Sequence, residues 1–81
     1  QMKEFSYEIT ERIATISESS DGRFALELNR ISYNESTPKM DLRRWDRKKG
    51  MMLKGLTLTE MEAKGIMSAL EHIFNSKEDM E

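Results

Sequence analysis

The chain has no cysteine among its 81 residues, and only one proline, one tryptophan, one histidine and four glycines. Without cysteine there are no disulfides and no thiolate metal sites, and a reducing compartment is the natural setting. No apolar run approaches the roughly 20 residues of a membrane span, and the N-terminus lacks the apolar stretch of a signal peptide. A cytoplasmic protein is expected, nucleoid association included. There is no glycine-rich phosphate loop, no nucleophile with a base at hand and no cluster with metal-ligand spacing. The expectation is therefore a protein that is not an enzyme, with no catalytic residues, metal, cofactor or small-molecule substrate. The lone histidine, His72, reads as a solvent-facing residue. Domains of this size bury only roughly 60% of their unfolded surface. With no covalent or metal support for so thin a core, a homodimer is the expected supplement.

Charge is present but unevenly placed. Gln1 precedes Met2 and reads as a remnant of tag cleavage, so fold reasoning begins at Met2. Residues 1–22 carry two basic and five acidic side chains, residues 23–54 nine and four, and residues 55–81 two and six. A formal net charge of −2 thus conceals a basic middle third. Since local fields act within about one Debye length, roughly 8 Å at physiological salt, an anionic partner remains open to this chain.

The hydrophobic pattern predicts four strands and a helix. In "FSYEITERIATISES" the apolar residues Phe5, Tyr7, Ile9 and Ile13 share one parity, whereas Ala14 and Ile16 take the other, which predicts a first strand with a bulge near residues 13 and 14. "SSDG" is a turn. A second strand follows, with Phe24, Leu26 and Leu28 on one parity and Ile31 and Tyr33 on the other, so a second bulge is expected near Asn29. "NESTP" is a loop, and "KMDLRRW" a third strand with Met40 and Leu42 facing one way and Asp41, Arg43 and Trp45 the other. "MMLKGLTL" is the fourth strand, in which Gly55 predicts a bulge or a close backbone approach. Thr59 and Glu62 form a capping-box pattern, after which Ala63, Ile66, Met67, Leu70, Ile73 and Phe74 follow helical spacing. Gly65 inside that run predicts close packing at that point. The expected fold is α+β: a curved antiparallel four-stranded sheet followed by one C-terminal helix (ββββα), dimeric, in a single domain over residues 2–76 with a polar acidic tail at 77–81. One sheet face is expected to pack on the helix, leaving the face of Arg43 and Trp45 open. The seven methionines read as core and dimer-interface packing.

The stretch "KMDLRRWDRKKG" sets six positive charges around the only tryptophan. Two readings are open. In the first it is a solvated hairpin whose tryptophan completes a small core. In the second, Lys39, Arg43, Arg44, Arg47, Lys48, Lys49 and Lys54, with Arg30 on the preceding strand, line a groove for phosphates, and Trp45 and Tyr33 offer faces on which bases stack. A single strand is the ligand that needs both parts, because a duplex hides its base faces. Asp41 and Asp46 read as ion-pair partners that hold the arginines in place.

"MDLRRWD" followed by "KGLTLTEMEA" resembles the single-stranded-DNA-binding domain of the transcriptional positive cofactor four family, and more closely its short bacterial members of YdbC type. The "YEI" opening, the Asp-x-Arg-x-Trp strand and the Lys-Gly-x-Thr-Leu-Thr approach to the helix carry the likeness over nearly the whole chain. The resemblance implies a homodimer whose helices and fourth strands pack across a two-fold axis, and curved sheets forming basic channels for single strands. It assigns the strand arginine to Arg43, the lysine before glycine to Lys54, and the stacking aromatic to Trp45, with Tyr33 on the preceding strand. The expected function is single-stranded DNA binding with weak sequence preference, in transcription regulation, replication or repair. Single-stranded RNA, or an acidic protein docked by a dimeric interaction module, are the alternatives.

Overall fold

The computed structural model describes residues 4–79. It contains β1 (Tyr7–Glu18), β2 (Phe24–Tyr33), β3 (Lys39–Asp46), β4 (Met51–Leu58) and α1 (Glu60–Asp79). The strands form one antiparallel sheet in the order β1-β2-β3-β4. The expected ββββα fold is the observed one. The helix runs through Asp79, past the expected start of a tail at residue 77, while residues 2, 3, 80 and 81 lie outside the described residues.

Local chemistry sets the turns. Ser19 begins the first, with its hydroxyl donating to Asp21 at 2.7 Å and its carbonyl accepting from Gly22 N–H at 2.8 Å. Gly22 and Gly50 take φ of 75° and 65°, left-handed positions that cost glycine nothing. The helix opens with the expected reciprocal cap: Thr59 N–H donates to Glu62 Oε1 at 2.9 Å, and Glu62 N–H donates to Thr59 Oγ1 at 3.0 Å.

The bulges fall differently from the expectation. β1 slips against β2 three times, between Ile9 and Glu11, Arg12 and Ala14, and Thr15 and Ser17, so the slip expected near Ile13 is one of a series. Each slip adds twist and bends the strand. β2 has no bulge at Asn29; it pairs with β3 without interruption from Phe24↔Asp46 to Ile31↔Lys39. The change of apolar parity along β2 is a change of face, with Phe24, Leu26 and Leu28 outside and Ile31 and Tyr33 inside.

The inner face is the core, and this overturns the expected arrangement. Ala25, Glu27, Asn29 and Ile31 of β2, and Asp41 and Trp45 of β3, all share that face and are all buried. Bending brings Tyr7 of β1 against Trp45 of β3, with ring centroids 6.0 Å apart. The helix, by contrast, leans on β4 alone as its principal contact. Leu28, Met40 and Leu42 of the outer face stand across an open groove from Ala63, Ile66 and Met67 of the helix. Ile66, Met67, Leu70, Ile73 and Phe74 stay exposed within one chain. Among the described residues, nothing beyond the neighbouring helix backbone lies within 4 Å of a Cβ at Gly65, so the close packing expected there is not made within one chain.

Gly55 meets its expectation on both counts. β3 and β4 slip between Arg43 and Trp45, placing an extra residue in β4 at Leu53–Lys54. A Cβ on Gly55 would sit 2.6 Å from both Arg43 Cα and Leu42 O, backbone atoms that cannot rotate away. Gly55→Ala should therefore lower stability by about 1–3 kcal/mol through overpacking. Denaturant melts that leave the midpoint unchanged would show that the two strands separate at no cost.

Candidate nucleic-acid interface

Three arginines of the basic stretch and its neighbourhood are committed to buried or nearly buried carboxylates. Arg43 Nε and Nη2 donate to Asp41 Oδ1 and Oδ2, each at 2.9 Å, its Nη1 donates to the Leu53 carbonyl at 3.0 Å, and its Nη2 also reaches Tyr33 Oη at 3.2 Å. Tyr33 in turn donates its hydroxyl to Asp41 Oδ2 at 2.5 Å. Burial, reinforced by that bond, pushes the Tyr33 phenol up to about 12. Arg47, in the turn after β3, donates to Glu27 Oε2 and Glu18 Oε2 at 2.9 Å and to Thr15 Oγ1 at 3.0 Å, tying the turn to β2 and β1. Arg23 grips Asp46 with Nε at 3.1 Å and Nη2 at 2.9 Å. Asp46 also accepts the backbone N–H groups of Lys48 and Lys49 at 3.1 and 3.2 Å. Arg23 first, and those amides with it, hold the Asp46 carboxyl down to about 2.

Asp41 and Asp46 are thus arginine partners, as expected. The expected roles of Arg43 and Arg47 as open phosphate ligands do not match the structure, because their donors already face protein acceptors. Arg30 is likewise engaged, donating to Glu11 Oε1 at 3.1 Å. Trp45 is 6% exposed and offers no open ring face; it takes the alternative place, inside the core. Tyr33 is half-buried and tethered to Asp41. Among the described residues, Trp45 Nε1 is a buried polar atom without a hydrogen-bond partner.

The remaining site residues behave differently. Lys39, Arg44, Lys48, Lys49 and Lys54 are exposed and, among the described residues, form no ion pair. Lys39 begins β3 on the inner-face parity of Asp41, Arg43 and Trp45, Lys48 and Lys49 occupy the turn at its other end, and Arg44 lies on the outer-face parity of Met40 and Leu42, opposite the Leu53–Lys54 bulge. At about 3.3 Å per residue the end cations of β3 stand roughly 25 Å apart, and the five line the strand, its turn and the β4 bulge as a strip that passes from one face to the other. The buried acids of the same sheet, Asp41, Asp46 and Glu27, are held by arginines and not by these cations.

Three exposed groups escaped the sequence reading. Phe5 is 64% exposed, Tyr7 36%, and the Arg12 side chain 70%, with only a loose 3.7 Å contact to Glu27. Their signal was hidden in the alternation of the first strand, where aromatic residues read as core.

An open-sheet α+β domain with an arginine-filled inner face and an unpaired basic strip is the class that fold and surface define. No family model matches the chain. It belongs to the same family as an uncharacterized protein of Treponema pallidum (strain Nichols), with which it is 41% identical over 73 residues, 90% of this chain and 80% of that protein. Among the described residues, no helix is long and apolar enough to cross a membrane.

The position of Trp45 separates two substitutions. Trp45→Ala should cost about 3–5 kcal/mol through lost contacts and a cavity. Trp45→Phe keeps a packed ring and removes an unpartnered donor, so its stability should stay within about 1 kcal/mol of the parent. Thermal melts by circular dichroism check both, and an Ala variant as stable as the parent would place the ring at the surface.

Proposed function

We propose that the protein is a non-catalytic module that binds single-stranded DNA with weak sequence preference, as a homodimer, in the manner of the positive cofactor four family. The observation that carries this reading is the strip of five exposed cations along β3, its turn and the β4 bulge, Lys39, Arg44, Lys48, Lys49 and Lys54, which form no ion pair among the described residues while the buried acids of the sheet are taken up by arginines. A phosphate backbone approaching it meets positive charge and little opposing charge. Saturation of Asp41, Asp46 and Glu27 by guanidinium groups also removes the carboxylates that would otherwise serve as general acids or bases. The proposed setting is cytoplasmic, on nucleoid DNA exposed during transcription, replication or repair.

The dimer rests on the shape of the chain. Its Cα radius of gyration is 15.7 Å and its extents are 60 × 33 × 18 Å. A compact domain of this length would have a radius near 12 Å. The excess comes from a helix that projects its apolar stripe into solvent beside an equally apolar outer sheet face. A second copy supplies the same two surfaces in reverse and covers both, as two-fold interfaces do.

Binding should weaken linearly in log affinity against log salt, with a slope near −0.7 per phosphate neutralised, about −3.5 if all five cations of one chain engage. Reversing Lys48 and Lys49 to Glu should lower affinity and flatten the slope by at least one unit in anisotropy titrations of a 20-nucleotide strand. A slope near zero in the parent protein would sink the reading, and tighter binding to matched RNA would change its ligand. Sedimentation equilibrium should return twice the chain mass for the parent and the single-chain mass for Ile66→Glu. A monomeric parent would remove the dimer.

A further inference from the structure

We infer that Phe5 and Tyr7, with Arg12 beside them, form the platform on which the bases of the single strand stack, in the cleft between β1 and the β3–β4 turn. This rests on the single-strand reading and deepens it, since the cation strip alone says where phosphates go and nothing of the bases.

Four aromatic rings make one chain of contacts across the inner side of the sheet. Tyr33 meets Phe5 at 6.1 Å between centroids, Phe5 meets Tyr7 at 6.2 Å, and Tyr7 meets Trp45 at 6.0 Å, all tilted. The two ends are fixed: Trp45 is buried, and Tyr33 is bonded to Asp41 and Arg43. The two middle rings rest on those ends and keep open faces, Phe5 at 64% and Tyr7 at 36% exposure. The segment that carries Phe5 is clamped as well. Ser6 N–H donates to Asn34 Oδ1 at 2.9 Å, and Asn34 N–H donates back to the Ser6 carbonyl at 2.8 Å. Asn34 makes both bonds from φ 50°, a left-handed position that asparagine tolerates better than most residues. A large apolar ring held still in water is preorganised for a flat partner.

The cleft beside these rings specifies the partner's charge. Tyr7, Ile9, Arg12, Trp45 and Gly50 line a cavity of about 380 Å³. Its acids, Glu27 and Asp46, are held by Arg47 and Arg23, which leaves the Arg12 guanidinium as its least committed polar group. Gly50 ends the turn that bears Lys48 and Lys49. A planar face, a nearby cation and a lysine-bearing turn fit an unstacked base attached to phosphates. They fit a duplex poorly, because its base faces are covered.

The test compares a 20-nucleotide thymidine strand with an abasic deoxyribose-phosphate strand of equal length, which has the same phosphates and no bases. The parent should prefer the thymidine strand by about ten- to a hundredfold, the range that stacking of one base supplies. Phe5→Leu should cut that preference to about threefold or less, leaving affinity for the abasic strand and the thermal midpoint unchanged. Tyr7→Leu is the second variant, judged by the same ratio. Trp45 emission, read through its contact with Tyr7, should shift with the thymidine strand and not with the abasic one. Equal, salt-sensitive binding of both strands by the parent would overturn the platform and leave the phosphate strip standing. An unchanged ratio in both variants would overturn it too, and failure of the parent to bind either strand would overturn platform and function together.

Discussion

The carboxylates that this sheet buries are each gripped by a guanidinium from another part of the chain or from two residues along the strand, and the rest of the molecule is arranged around those pairs. Asp41 is fully buried and held in a bidentate fork by Arg43, Asp46 in a second fork by Arg23, and Glu27 by Arg47 at Oε2 with Asn29 Nδ2 donating to its Oε1. Taking such an ion out of water costs several kcal/mol, which attraction offsets only with good geometry and no idle lone pairs. The forks supply that geometry. They also fix two distant segments, since Arg47 ties the β3–β4 turn back to β1 and β2, and Arg23 ties the β1–β2 turn to the end of β3. Both ties sit at the end of the sheet where the β1–β2 and β3–β4 turns meet, with Arg47 N–H also donating to the Arg23 carbonyl at 2.7 Å.

The same pairs sort the two kinds of cation. The guanidiniums with planar, multi-point partners are inside, where a fork matches a carboxylate, whereas lysine, a compact and strongly hydrated point charge, stays outside. Of the five cations of that strip, all but Arg44 are lysines. A charge strip made this way is mobile and accessible and does not need a particular geometry in its ligand, which suits contact with a backbone rather than with base edges.

Much of the fold was legible in the chain, because it depends on local signals: strand parity, the Asp-Gly turn, the Thr59–Glu62 cap and Gly55 beneath the strand crossing. Parity, however, reports which residues share a face and not which face the chain closes over. Three slips along β1 bend the sheet toward the side of Asp41, Arg43 and Trp45, so the face read as open is the core. Only one of the slips had a sequence signal, the parity change at Ile13 and Ala14. Trp45 and Arg43 were accordingly read as ligands when they are framework, while Asp41 and Asp46, read from charge balance alone, were placed correctly. Phe5 and Tyr7 were not read as exposed because an aromatic residue at the start of a strand usually packs inward.

An inner face of ion pairs and an outer face of leucine and methionine invert the usual division of a soluble domain, and the inversion separates two responses to salt. Buried pairs are screened far less than exposed charges. Raising ionic strength therefore acts on the exposed cations of β3, its turn and β4 while the Asp41–Arg43 and Glu27–Arg47 pairs stay intact, and in the proposed dimer the outer apolar surfaces stay buried. In the proposed complex a ligand held by these cations is released without loosening the sheet that presents it. In the proposed dimer, hydrophobic faces in contact between copies and electrostatic pairs within each copy keep that sheet rigid under conditions that release the ligand.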